Sequence, residues 1–259
     1  MKNVILALAL LFSIASGMAQ ITIEPVEYIQ GETVLDGYVA YDAASKGKQP
    51  GVVIVHDWMG VGEYVKMRAE QLVKLGYVAF VADIYGRGVR PKNTQEASQQ
   101  AGKFRADRPL LRARAQAALD RLRQNPRVDA DRVAAMGYCF GGGTVLELAR
   151  GGADLDGVIS FHGNLDTPNP DDARSMKGKV LVLHGGDDPL VTAAQVEAFQ
   201  SEMRKAKIDW EFVSYGGAVH AFTQKGAGDD PSKGAAYQER ADKRSFARMT
   251  SFLQEIFTK

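Results

Sequence analysis

The sequence predicts an α/β fold, a mostly parallel central sheet with helices on both faces, and two observations carry that expectation. First, three short runs, GVVIVH at 51–56, YVAFVA at 77–82 and RVAAM at 132–136, are continuously apolar rather than alternating. Such runs fit strands buried on both faces. Second, segments of helical spacing separate the runs, and strand–helix alternation favours a parallel sheet with right-handed crossovers. In sheets of this kind the ligand site lies at the carboxyl ends of the strands.

The elements follow in order. Residues 21–40 alternate loosely around a turn signal at Gln30-Gly31 and read as two antiparallel strands. After the strand at 51–56 comes a helix over 64–75, stopped by Gly76, and then the strand at 77–82. Residues 94–123 are helical apart from a loop at Asp107-Arg108-Pro109. The strand 132–136 leads into a helix over 140–150. Strands at 157–161 and 179–183, a helix at 191–205 and a strand at 208–215 complete the sheet. A last helix, 237–257, carries Phe246, Met249, Leu253 and Ile256 on one face. No repeat, low-complexity tract or linker divides the chain, and 259 residues suit one large domain, expected over 20–259. A net charge of +1 gives no basic groove for nucleic acid and no patch for a membrane surface.

The first residues differ in kind. Lys2 supplies a short positive region, and an apolar run from Val4 to Ile14 is broken only by Ser13. Gly17 and Ala19 give the small-x-small pattern of a cleavage site. The run is short for a membrane-spanning helix, and no cysteine follows it to take a lipid. The expectation is a secretory signal over 1–19, a mature chain from near Gln20, and a periplasmic or secreted location; an uncleaved anchor is the alternative. Export places the single cysteine, Cys139, where thiols usually pair, yet it has no partner in the chain.

Cys139 lies in Gly137-Tyr138-Cys139-Phe140-Gly141, between a buried strand and a helix. This is a G-x-nucleophile-x-G elbow with Cys where Ser is commoner. The nucleophile occupies a strained turn that points its side chain out of the sheet, and the residues two before and two after come too close for side chains. The following helix directs its positive end and free N–H groups at the sulfur, which favours the thiolate. A buried cysteine in a glycine-rich turn is the plainer reading.

An acid is expected in His184-Gly185-Gly186-Asp187-Asp188-Pro189, after the strand at 179–183. Asp188 is the choice, because Asp-Pro-x-Val starts the turn into the next helix; Asp187 is the alternative, and either could merely cap that helix. A base follows at His220, in the loop after the last strand, giving the chain order nucleophile, acid, histidine. His56 and His162 each end a strand and read more readily as hydrogen-bonded structural histidines near the site than as catalysts. No H-x-x-x-H spacing suggests a metal. An oxyanion hole needs two backbone donors; these are expected at Phe140, directly after the nucleophile, and at Trp58 rather than Met59 in the Asp57-Trp58-Met59-Gly60 loop. Asp57 would then sit near the sulfur, where an anion accepts a hydrogen bond from the thiol and keeps it neutral until substrate arrives.

Taken together, VIVHDWMG, YVAFVADIYGRG, GYCFGGG, the HGGDDP loop and the VHAF loop resemble the dienelactone hydrolase family, from about Gly51 to Lys259. The resemblance implies an α/β-hydrolase fold and a Cys-His-Asp triad, here Cys139, His220 and Asp188, working without a cofactor. A first-loop acid that is glutamate in the best-known members falls at Asp57. Members specific for dienelactone carry an arginine four residues after the catalytic histidine, where this chain has Gln224, and a second one within a segment matching roughly 95–108. The expected activity is hydrolysis of a small ester or lactone through a thioester. The alternatives are a peptidase or acyl-transferase on the same triad, or a non-catalytic binding member of the fold. The expected partners are the small-molecule substrate and at most copies of the same chain.

Overall fold

The computed structural model describes residues 19–258. The expected leader therefore lies outside the described residues as far as position 18. Eight strands form one sheet in the order β1-β2-β4-β3-β5-β6-β7-β8. They are β1 (Ile21–Gln30), β2 (Thr33–Asp42), β3 (Gln49–Val55), β4 (Val78–Ala82), β5 (Val128–Tyr138), β6 (Gly157–Phe161), β7 (Lys179–Gly185) and β8 (Trp210–Tyr215). β1 and β2 form an antiparallel hairpin, and β2 pairs antiparallel with β4. Every pairing from β4 through β3 to β8 is parallel.

Among the described residues six α-helices cover the sheet: α1 (Glu63–Lys74), α2 (Thr94–Ala106), α3 (Arg108–Arg123), α4 (Phe140–Arg150), α5 (Ala193–Ala206) and α6 (Glu239–Phe257). The two-residue period of β3 divides its side chains between two cores. Val52 and Ile54 pack in a cluster with Leu72 of α1 and Met249 of α6. Val53 and Val55 pack in a cluster with Phe104 of α2, Leu119 of α3, Val145 of α4 and Phe199 of α5. Strands buried on both faces have no polar side to alternate, which is why they read as unbroken apolar runs.

Most boundaries shift by one to three residues from the sequence reading, and two of the differences have a clear physical cause. The break expected at 107–109 is a single residue. Asp107 accepts a hydrogen bond from the Leu110 amide and caps α3, and Pro109 sits in that helix's first turn, where its missing N–H costs nothing. β5 begins at Val128 rather than Arg132, because its first residues pair with Gln49 and Pro50 before the register shifts at Pro50/Gly51. Backbone pairing there extends the strand through the polar stretch Asp129–Arg132, which no hydrophobic pattern marks.

The chain leaves β3 for β4 on one side and returns to β5 on the other. That reversal opens a crevice at the carboxyl ends of β3 and β5, where open α/β sheets bind their ligands. Among the described residues no helix is long and apolar enough to cross a membrane.

Candidate active site

Five strand ends meet at this crevice. β5 ends at the elbow, where Cys139 has φ 55 and ψ −116. A Cβ on Gly137 would stand 2.2 Å from the Gly141 carbonyl, and one on Gly141 would stand 2.3 Å from the Val55 carbonyl. Neither position admits a side chain, so both flanking glycines are steric requirements of the turn. Four non-glycine residues of the described chain have positive φ: Cys139, His162, Ala221 and Lys207. Cys139 and Ala221 line the crevice, and His162 is buried behind it against the Cys139 amide. Such conformations cost about 1–3 kcal/mol each and persist where the surrounding structure over-determines them, which is commonly at functional sites.

The imidazole of His220 stands between sulfur and carboxylate. Its Nε2 is 3.1 Å from Cys139 Sγ and its Nδ1 is 2.8 Å from Asp188 Oδ2. The other oxygen of Asp188 accepts from the Leu190 amide at 2.8 Å. Asp188 is buried and Asp187 is exposed, so of the two aspartates in this loop Asp188 is the one that reaches the imidazole. The His220 loop is held by its own backbone: the His220 amide donates to Gly234 O, and the Ala236 amide donates to His220 O. Burial alone would push the His220 pKa down. The negative charge of a Cys139 thiolate and the Asp188 carboxylate outweigh it and raise the pKa to about 10. With its Nδ1 proton bound to Asp188, the ring presents Nε2 to the sulfur and can take its proton.

The loop after β3 is pinned from behind. His56 Nε2 accepts from the Ile84 amide, which leaves the Nδ1 proton to donate to the Asp57 carbonyl at 2.6 Å. The Tyr85 hydroxyl donates to the Trp58 carbonyl at 2.9 Å. His56 is buried and desolvation lowers its pKa, so it is a neutral structural histidine. The Met59 amide is taken by Asp57 Oδ1 at 2.7 Å, whereas no acceptor among the described residues takes the Trp58 amide. Phe140, the first residue of α4, likewise has no helical acceptor for its amide.

Asp57 lines the same cleft as Cys139, but its bonds go elsewhere. Oδ1 accepts from Met59 and Oδ2 from Gln224 Nε2 at 2.7 Å, while the sulfur's hydrogen bond is to His220. Sequence reasoning did not foresee the Gln224–Asp57 bond, since the two residues are 167 positions apart. The cleft, of about 850 Å³, is lined among others by Trp58, Tyr64, Arg105, Leu190 and Gln224. Leu190 is 58 % exposed there and offers apolar contact. Arg105 also lines the cleft, and no carboxylate among the described residues pairs with it. Arg87 and Arg90 are instead engaged by Glu27, Asp36 and Asp83. Among the described residues no group of three or more His, Cys, Asp or Glu is arranged to hold a metal ion.

The profile of the Dienelactone hydrolase family matches residues 35–257. The chain belongs to the dienelactone hydrolase family. It is thus a hydrolase of the α/β class, as its relatives and structural neighbours also indicate. A putative carboxymethylenebutenolidase of Saccharolobus solfataricus is 26 % identical over 251 residues, covering 84 % of this chain and 93 % of its own. A probable 2-oxo-3-(5-oxofuran-2-ylidene)propanoate lactonase of Bradyrhizobium sp. is 30 % identical, covering 68 % of this chain and 74 % of its own. Among solved structures, one named m3DLH superposes with a TM-score of 0.89 at 39 % identity, covering 92 % of this chain and 99 % of that one. A dienelactone hydrolase-like promiscuous phosphotriesterase from metagenomic libraries superposes with a TM-score of 0.87 at 39 % identity, covering 91 % and 98 %.

Proposed function

We propose that the protein hydrolyses a small carboxylic ester or lactone by a Cys139–His220–Asp188 triad. The observation that carries this reading is the unbroken chain of contacts, 3.1 Å from sulfur to imidazole and 2.8 Å from imidazole to carboxylate, opening into the cleft. The thiolate adds to the ester carbonyl, and the Trp58 and Phe140 amides take the developing oxyanion. His220 gives its proton to the departing alkoxide, leaving a thioester on Cys139. Neutral His220 then draws a proton from water as it attacks the thioester, and the acid and free thiol are released. Asp188 holds the tautomer throughout. Gln224, bound to Asp57, offers no full positive charge to a substrate carboxylate, which leaves Arg105 as the cleft cation placed to meet one.

The test is acyl-enzyme trapping. On mixing with an activated aryl ester, a burst of phenol equal to the enzyme concentration is expected. Intact-mass analysis of quenched enzyme should show one acyl group, lost when Cys139 is replaced by Ala. An acyl group on any other residue would overturn the reading.

A second substrate class is favoured by one observation, the 39 % identity to the promiscuous phosphotriesterase. A neutral phosphotriester presents the same thiolate with an electrophile and an aryloxide leaving group, so an aryl phosphotriester belongs in the same assay. We also propose export, on the strength of Lys2, the apolar run to Ile14 and the Gly17/Ala19 pattern. Protein recovered from outside the cytoplasm should begin at or near Gln20 by intact mass. Retention of Met1–Ala19 would refute cleavage.

A further inference from the structure

We propose that His162 is a positioning residue that joins the nucleophile's turn to the loop carrying the base, through the hydroxyl of Thr223. The inference rests on the triad reading above and adds to it residues that do not touch substrate.

The geometry is a bridge with two ends. At one end, the Cys139 amide donates to Phe161 O at 3.0 Å and to His162 Nδ1 at 3.2 Å. Because Nδ1 accepts, the neutral ring carries its proton on Nε2. At the other end, Nε2 lies 2.8 Å from Thr223 Oγ1, and that hydroxyl is therefore the acceptor. Thr223 follows His220 by three residues in the same loop. One small ring thus connects the backbone of Cys139 to the chain segment of His220, the two groups whose separation sets proton transfer. The ring of His162 also meets that of His220 edge to face, with centroids 5.2 Å apart.

The bridge stands on rigid supports. His162 has φ 38, in the left-handed region, and is fully buried. A Cβ on the next residue, Gly163, would fall 2.6 Å from the Gly142 carbonyl carbon, so the turn after β6 is packed directly on the start of α4. Thr223 is anchored twice more. Tyr64 Oη lies 2.6 Å from its hydroxyl, and Arg68 donates to its carbonyl at 2.8 Å while also pairing with Asp242 of α6 at 2.6 Å. The His220 loop is thereby tied to α1 and α6 as well as to the elbow. Both ends of the bridge must hold for Nε2 of His220 to sit at 3.1 Å from the sulfur.

The test uses Thr223→Val, Thr223→Ser and His162→Asn in the full mature protein. Valine removes the hydroxyl at nearly constant volume, and serine keeps it. Asparagine tolerates positive φ and can accept from the Cys139 amide, but is too short to reach Thr223. Thr223→Val and His162→Asn should each lower kcat about ten-fold or more with KM nearly unchanged, because a small misplacement of reacting groups is costly. The double variant should lose no more than either single one, since both cut the same bridge. Thr223→Ser should recover most of the loss. Alkylation of Cys139 by iodoacetamide should slow in parallel with kcat. A folded Thr223→Val enzyme with kcat within about two-fold of wild type would overturn the proposal, as would equal losses in the valine and serine variants. An active Cys139→Ala would instead remove the triad reading itself; an inactive Cys139→Ala beside an unimpaired Thr223→Val would remove only the bridge.

Discussion

His220 and His162 are buried side by side, yet their ionisation moves in opposite directions. Burial pushes both toward the neutral form. His220 has the Cys139 sulfur and the Asp188 carboxylate against its two nitrogens, and its pKa rises to about 10. His162 has an amide and a hydroxyl, and its pKa falls well below the usual histidine value, first through burial and then through the charge of His220. Desolvation is common to the two rings, so the partners decide the charge. On the proposed reading the same residue type therefore serves as proton carrier in one place and as a neutral strut 5.2 Å away. A charged His162 would lose its acceptor nitrogen, and the contact with the Cys139 amide with it.

The sharpest way to break this contrast is to remove the sulfur. Cys139→Ala should lose about four decades of ester turnover while remaining folded. It also deletes the anion that supports the His220 charge. In NMR titrations the His220 pKa should drop well below 10 in that variant, while His162 stays neutral across the neutral range. A His220 pKa unchanged by the loss of sulfur would show that Asp188 alone sustains it.

Next in size is the carboxylate. Asp188→Asn should lose about two to four decades of kcat, because the amide favours the wrong tautomer of His220. Asp187→Asn, altering an exposed side chain, should stay near the wild-type rate. Reversal of that order would make Asp187 the working acid.

The smallest effect is on stability against pH. The depressed pKa of His162 means that, below its unfolded value near 6.5, the unfolded chain binds a proton that the folded chain excludes. Stability should then be lost as pH falls below about 6.5, at up to about 1.4 kcal/mol per pH unit for one such group. His56, lowered for the same reason, adds a slope of the same sign. His162→Asn should flatten part of this dependence in denaturant titrations, and an unchanged slope would contradict a neutral His162.

What the sequence determined by itself follows from local rules. Continuous apolar runs mark strands with two buried faces, so the parallel sheet was legible from β3, β4 and β5 alone. The spacing around Cys139 was legible because a tight turn excludes side chains at Gly137 and Gly141 whatever surrounds it. Chain order also indicated His220, and an acid in the loop after β7. The tertiary structure decided matters that depend on separation in space. It chose Asp188 over Asp187 by burial and reach, gave the Asp57 carboxylate to Gln224 and Met59, and left the Trp58 amide without an acceptor among the described residues. It also set His162 between Cys139 and Thr223, residues 23 and 61 positions away. No periodicity or motif encodes such pairings. Hydrogen bonds act over about 3 Å, and chain segments this far apart come within that range only once the sheet and helices have packed.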